Sequence, residues 1–175
     1  MNIDFDCAVR LDQVRSGERI ELVANSPQCD AIAARLGLPG IERLAAHATL
    51  ERSGAVIRAT GRLKSALTQE CVVTGESIAA HVDAPFDLVF TPELAADSPD
   101  SEIELGPEDC DTVFYDGASF VLGEAIADTL ALAVDPYPRS AGAEAALKNA
   151  GVMTEEQAGP FAALAALKGK PENES

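Results

Sequence analysis

The residues best suited to chemistry in this sequence are four cysteines and two histidines: Cys7, Cys29, Cys71, Cys110, His47 and His81. Thiolates act as nucleophiles or metal ligands, and histidine acts as a general base or a ligand. A zinc site usually needs four such ligands, supplied in close pairs. No two of these cysteines form a C-x-x-C pair, and the histidines are scattered among them. The spacing therefore favours buried structural thiols, and we expect neither a metal nor a cofactor.

The stretch CVVTGES, which begins at Cys71, is the most motif-like segment of the chain. Cys71 follows Leu67 and Gln69 at alternating positions, as on the inward face of a strand. A nucleophilic cysteine needs a helix N-terminus or a nearby cation to lower its pKa, and the local sequence supplies neither. Thr74 occupies the place of a second cysteine, and threonine is not a zinc ligand. We predict a buried thiol leading into a turn at Gly75, with a metal ligand or nucleophile as the alternative.

Recognised catalytic motifs do not accompany these residues. The sequence contains no GxSxG nucleophile elbow, no GxxxxGK[ST] phosphate loop and no GxGxxG dinucleotide fingerprint. The carboxylates cluster in segments that we interpret as loops, which is not the pattern of a paired general acid and base. We therefore predict that the protein is not an enzyme.

Alternating apolar and polar residues predict the strands that position these groups. They cover residues 3–10, 19–24 and 111–115, a hairpin from residue 42 to 63 with its turn at Ser53-Gly54, and an unbroken alternation over 78–90. Inward residues such as Leu44, Ile57 and Phe86 alternate with outward ones.

Two helices are predicted beside this sheet. One covers 27–36, with Ser26 as its cap and Gly37 at its end, and the other covers 119–133, with Ser119 as its cap. The expected fold is α+β, a curved antiparallel sheet of about five to seven strands flanked by two helices, with a C-terminal tail.

The expected domain organisation is one α+β domain over 1–138, with an exposed acidic loop at 91–110, followed by a weakly ordered tail over 139–175. A short amphipathic segment at 160–168 either docks on a partner or packs back on the sheet. There is no apolar run long enough to span a membrane and no signal-peptide pattern near the N-terminus, so we expect a cytoplasmic protein without membrane contact.

The net charge of −16 bears on the choice of partner. Binding to nucleic acid depends on neutralising phosphates, so this charge argues against a broad nucleic-acid surface and against DNA as a partner. Aromatic residues make up only 5%, which argues against an aromatic stacking platform. Five basic residues fall in or between neighbouring strands: Arg43, Arg52, Arg58, Arg62 and Lys64. They form either a local phosphate-contacting patch or an ordinary solvated sheet face.

Four segments, in this order, resemble the YceD family of large ribosomal RNA subunit accumulation proteins, in its alphaproteobacterial form. They are IAARLGLPGIERL, the paired strands GAVIRATGRLKSALTQECVVTGESI with VDAPFDLVF, the segment GEAIADTLALAVDPYPR, and PFAALAALKG. The resemblance covers residues 15–169, and its central motif positions include Gln69, Cys71, Thr74 and Glu76. Many relatives have C-x-x-C at Cys71, and Thr74 departs from that pattern, which puts any metal role in doubt.

The resemblance implies a non-catalytic factor that supports 23S rRNA accumulation and large ribosomal subunit assembly. The implied partners are the pre-ribosomal large subunit, 23S rRNA or a basic ribosomal protein. Arg58, Arg62 and Lys64 are the candidate residues for binding rRNA or another partner. The alternative is an acidic protein-binding module, or a chaperone for a basic partner unrelated to ribosomes.

Overall fold

The computed structural model describes residues 2–3, 5–6, 8–93 and 111–152 of the chain. The strands are β1 (Asn2–Ile3), β2 (Ala8–Arg10), β3 (Glu18–Val23), β4 (Gly40–Ser53), β5 (Val56–Glu70), β6 (Ser77–Pro92), β7 (Thr112–Tyr115) and β8 (Ser119–Val121). The helices are α1 (Ser26–Leu36), α2 (Leu122–Ala133) and α3 (Ala143–Asn149), with a 3-10 turn at Leu11–Gln13. Helices packed on a largely antiparallel sheet confirm the predicted α+β class.

The main sheet has six strands in the order β1-β3-β4-β5-β6-β7, and β2 pairs with β8 in a separate two-stranded sheet. Its centre is the antiparallel series β3 to β6, where the alternation in the sequence predicts the inward and outward faces correctly. In β5, for example, Ile57, Ala59 and Leu63 are fully buried, whereas Arg58 and Arg62 are exposed. The predicted curvature of the sheet stays a prediction.

The two edges of the sheet differ from the prediction of an antiparallel arrangement. β1 runs parallel to β3, and β7 runs parallel to β6. Parallel neighbours are joined by long connections, and hairpin-turn patterns contain no information about them. The predicted strand over 3–10 is also wrong in part: a turn at Phe5 and Asp6 divides it into β1 and β2, which belong to different sheets.

Helix α1 begins one residue earlier than the sequence predicted, because its cap is Asn25 and not Ser26. The Asn25 side chain accepts a hydrogen bond from the Gln28 backbone N–H at 3.0 Å, and the Gln28 side chain accepts one from the Asn25 N–H at 2.9 Å. This reciprocal pair is a capping box, and Pro27 follows inside the first turn. Gly37, in the left-handed conformation with φ of 67°, ends the helix as predicted.

The capping box gives a first prediction. Replacing Asn25 by Ala removes the acceptor for an N–H of the first turn, so we expect Asn25→Ala to cost about 1 kcal/mol in the free energy of unfolding. Ser26→Ala is the matched control, because the exposed Ser26 lies inside the helix and should change stability by less than about 0.5 kcal/mol. Urea denaturation of both variants checks this, and a larger loss in Ser26→Ala would contradict the assignment of the cap.

Helix α2 begins three residues later than predicted. Ser119 lies in β8 opposite Arg10, and the helix starts at Leu122 without a side-chain cap. Its apolar face supplies Leu122, Ile126 and Leu130, all fully buried. Because β2 exists only as the partner of β8, a pattern inside residues 119–121 could not distinguish this strand from a helical turn.

The core joins the two sheets through aromatic residues. Phe90 of β6 and Phe120 of β8 are buried, with ring centroids 4.4 Å apart. Tyr115 lies 6.4 Å from Phe120, and its hydroxyl donates to the backbone oxygen of Ala55. These contacts fix the β2-β8 pair and the start of α2 on the main sheet. On the opposite face, Arg58, Arg62 and Lys64 are exposed.

The predicted domain boundary at residue 138 stays a prediction. The structure adds α3 just beyond it, where Ala143 is 1% exposed. Of the acidic loop, residues 91 and 92 belong to β6, and 94–110 lie outside the described residues, as does the segment 160–168.

Candidate functional site

The candidate site begins with the charged residues on the open face of the sheet. Arg58, Arg62 and Lys64, all predicted from the sequence, alternate along the outward side of β5. The cross-strand register places Lys64 between Ala45 and Asp83. The three basic residues therefore share one face, while their role in binding stays a prediction.

All three basic side chains form ion pairs with aspartates of β6. Arg58 contacts Asp87 at 2.5 Å, Arg62 contacts Asp83 at 2.8 Å, and Lys64 contacts the same Asp83 at 3.5 Å. The hydrogen bond from Arg62 is the main cause that lowers the pKa of Asp83, and the one from Arg58 lowers the pKa of Asp87. The four residues of the two arginine pairs are about half exposed and Lys64 is more exposed, so these pairs add little to stability.

A groove with a volume of about 630 Å³ lies on this face, across β3 to β6, around residues 62–66 of β5. Its charged and titratable lining residues are Glu21, Arg43, His47, Arg62, Lys64, His81 and Asp83. Its floor is made of small side chains such as Ala45 and Ala66. Arg58 is not among the lining residues, and the Arg52 guanidinium turns away to the backbone oxygens of Leu11 and Gly54. Of the five predicted basic residues, Arg43, Arg62 and Lys64 therefore line the groove, whereas Arg52 and Arg58 do not.

His47 and His81 also line the groove, although their scattered positions in the sequence indicate no role for them. The register explains why they belong to the groove: His47 opposes Arg62, and Ala66 stands between Arg43 and His81. Within the described part of the chain, the side chains of Arg43, His47 and His81 make no hydrogen bond or ion pair. Alternation along a strand can indicate that such a residue is outward, but only the strand order shows which outward residues are neighbours.

The family-motif positions form a second group at the far end of β5. Gln69 donates to the backbone oxygen of Asp135 at 2.7 Å, and the Val72 N–H donates to the oxygen of Pro138 at 2.9 Å. The Thr74 hydroxyl lies 3.1 Å from a Glu76 carboxylate oxygen and 3.3 Å from the Ser140 hydroxyl. These positions thus hold the segment that follows α2, a contact that no local pattern in the sequence indicates.

Cys71 lies at the centre of this second group and is 3% exposed, which agrees with the predicted buried thiol. Its sulfur accepts hydrogen bonds from the backbone N–H groups of Ser140 at 3.2 Å and Thr74 at 3.4 Å. Burial acts to raise the pKa of the thiol, but hydrogen bonds from the backbone and side chains of Ser140 and Thr74 outweigh it and lower the pKa to about 6. The cause is neither of the two sought in the local sequence, a helix N-terminus or a cation, but hydrogen bonds, and one donor, Ser140, is distant in the chain. The turn after Cys71 has Gly75 at φ of 70°, as predicted.

Cys29 is the other described cysteine, a buried free thiol in α1 whose pKa is raised by burial. Cys7 and Cys110 lie outside the described residues. In the described ranges, no three histidine, cysteine or acidic side chains are grouped closely enough to hold a metal ion. The absence of a metal and of a cofactor stays a prediction.

Together, the fold and the site define an α+β protein that presents a groove with more cations than carboxylates on the exposed face of a largely antiparallel sheet. The chain belongs to the family described as large ribosomal RNA subunit accumulation protein YceD, whose match covers residues 59–168, more than half of the chain. This confirms the resemblance found in the sequence and links the chain to ribosome biogenesis and to accumulation of large-subunit rRNA. No curated protein and no solved structure matches the chain.

The match begins in β5 and includes β6, α2 and the motif positions around Cys71. β3 and β4, which supply Glu21, Arg43 and His47 to the groove, precede it. Among the described residues, no helix has the length and apolar character needed to cross a membrane. The cytoplasmic location stays a prediction.

Proposed function

We propose that this protein is a non-catalytic factor that supports accumulation of 23S rRNA and assembly of the large ribosomal subunit by binding the pre-ribosomal particle. The family membership is the observation on which the proposal depends most, because the family description names large-subunit rRNA accumulation. The groove adds physical support, since an open sheet face with cations and an accessible volume is suited to binding a partner.

The net charge of −16 is compatible with this role. A strongly acidic protein repels bulk RNA and contacts it only where cations are concentrated, so its association with a maturing particle is brief and local. This property distinguishes a transient assembly factor from a permanent ribosomal component.

The same charge favours a second candidate function, in which the protein shields a basic ribosomal protein until that protein is incorporated. Electrostatic complementarity would then accelerate association and select basic partners. This candidate predicts capture of a basic ribosomal protein that persists after treatment with RNase. Loss of the captured protein after RNase would instead indicate binding through rRNA.

Depletion of the protein provides the test of the proposed function. Lysate from depleted cells is separated on a sucrose gradient, and the ratio of 23S to 16S rRNA is measured in each fraction. We expect less 23S rRNA and a smaller large-subunit peak, because an incompletely assembled particle exposes its rRNA to degradation. Restoring the wild-type protein should restore the profile. A profile identical to that of undepleted cells would overturn the proposed function.

A further inference from the structure

We infer that the groove lined by Arg43, Lys64 and His81 binds a short single-stranded RNA segment, with cations on its phosphates and imidazole or guanidinium planes against its bases. This inference rests on the proposed function and deepens it by naming the ligand class and the residues. It also shifts the binding site from the predicted Arg58, which lies outside the groove, to Arg43, which lies within it.

The charge of the groove favours phosphate. Three cations and two carboxylates line it, so it has a net charge of +1 with both histidines neutral, in a chain of net charge −16. Arg62 and Lys64 share the single carboxylate of Asp83, at 2.8 and 3.5 Å. One carboxylate cannot neutralise two cations, and Arg43 has no ion pair within the described residues. Positive charge thus remains where an anion can reach it.

The shape of the groove favours unpaired bases. Arg43, Ala66 and His81 lie in one cross-strand row, so a cation and an imidazole stand on either side of an alanine. Adjacent strands are about 4.8 Å apart, which separates the backbones of Arg43 and His81 by about 10 Å. Small side chains on the floor let a planar base approach the sheet. Unpaired bases stack on histidine and on arginine guanidinium planes, so these groups can serve where aromatic residues are few.

A single strand fits this groove better than a duplex or an acidic peptide. Double-stranded RNA is bound by shape over a wide surface, and the acidic remainder of this chain would repel a wide phosphate array. A groove of about 630 Å³ has the size of a small-ligand pocket and suits a few splayed nucleotides. An acidic peptide would satisfy the cations but leave both imidazole planes without a stacking partner.

The test measures fluorescence anisotropy of the purified full-length protein with a labelled single-stranded oligoribonucleotide of mixed sequence, and with the same strand in a duplex. We expect binding to the single strand, with a slope of log affinity against log salt of about −2, because three cations each release about 0.7 counterion. The duplex is expected to bind more weakly.

Four variants make the test specific to the groove. Arg43→Ala should weaken binding about three- to tenfold and make the salt slope less steep by about 0.7. His81→Ala should weaken binding at least about fivefold through lost stacking, with the slope at pH 8 unchanged. Asp83→Asn should strengthen binding, because it releases Arg62 and Lys64 from their shared carboxylate. Arg58→Ala is the matched control, on the same face but outside the groove, and should leave affinity unchanged.

The inference is overturned if the wild-type protein does not bind the single strand, if the duplex binds equally tightly, or if Arg43→Ala and Arg58→Ala behave alike. These results are separate from the depletion experiment. Lowered 23S rRNA together with absent RNA binding would reject the groove site and leave the proposed function standing. A normal sucrose gradient together with RNA binding that depends on the groove would reject the proposed function and leave the groove site standing.

Discussion

Gly61→Ala is expected to remove a large part of the stability of the fold. Gly61 lies on the inward side of β5, between Ala48 of β4 and Phe86 of β6. A Cβ at this position would lie 1.9 Å from the backbone oxygen of His47 and 2.8 Å from the Phe86 ring. A ring can rotate, but a backbone oxygen in a paired strand can move only if the strand moves. β4 and β5 must therefore separate at the point where the sheet forms the groove.

The expected cost follows from this geometry. Added atoms in a packed core typically cost about 1–3 kcal/mol and occasionally more. Because the clash here is with backbone, we expect a loss of about 3 kcal/mol or more, a large part of the roughly 5–15 kcal/mol that stabilises an ordinary domain. Urea denaturation followed by circular dichroism measures the loss, and a variant that fails to fold meets the expectation in its extreme form.

Gly40→Ala is the control for this prediction. Gly40 is the first residue of β4, and a Cβ there would have no atom within 4 Å. The same chemical change should therefore alter the free energy of unfolding by no more than about 0.5 kcal/mol. Equal urea midpoints for the two variants would show that the contact with the His47 oxygen is not a constraint on the sheet.

The central strands could be predicted from the sequence because their information is local. In β4, β5 and β6, one face is more buried than the other along most of the strand, so alternation of apolar residues records the face directly. Leu44, Leu63 and Phe90 are buried as that pattern requires. The groove could not be predicted in the same way. Arg43 and His81 belong to different strands, and their proximity depends on β5 lying between β4 and β6.

The elements that could not be predicted depend on distant partners. β2 and β8 contain three residues each, and each forms a strand because the other is present. A run of three residues is too short to express a period, so Ser119 was interpreted as a helix cap. The hydrogen bond from Ser140 to the Cys71 sulfur also depends on a distant partner. Ser140 lies near Cys71 only because the chain after α2 passes the end of β5.

The thiolate of Cys71 is expected to make the stability of the protein rise with pH. In the folded state its pKa is lowered to about 6, from an ordinary value of 9.0. Between these values the folded protein holds a thiolate while the unfolded chain holds a thiol, so unfolding takes up a proton and higher pH favours the fold. This contribution is complete above about pH 9 and is lost as the pH falls through about 6.

Cys71→Ala removes the titrating group and leaves the Ser140 and Thr74 N–H groups without their sulfur acceptor. The difference in urea midpoint between wild type and this variant should therefore be smallest at about pH 5.5, where only packing and the neutral thiol are lost, and increase steadily through about pH 7 and 8.5. Thiolate absorbance in the ultraviolet provides a direct check, since wild type should exceed the variant by one thiolate already at about pH 7.

Cys29→Ala distinguishes this effect from the general loss of a buried thiol. Cys29 is as deeply buried as Cys71, at 3% exposure, but burial raises its pKa above 9.0. A thiol that stays protonated in the fold adds no pH dependence between 6 and 9, and it opposes folding only at higher pH. The midpoint difference for Cys29→Ala should therefore be flat across the range in which that for Cys71→Ala grows. Parallel curves for the two variants would mean that the Ser140 and Thr74 hydrogen bonds do not hold a thiolate, and that Cys71 contributes only by packing.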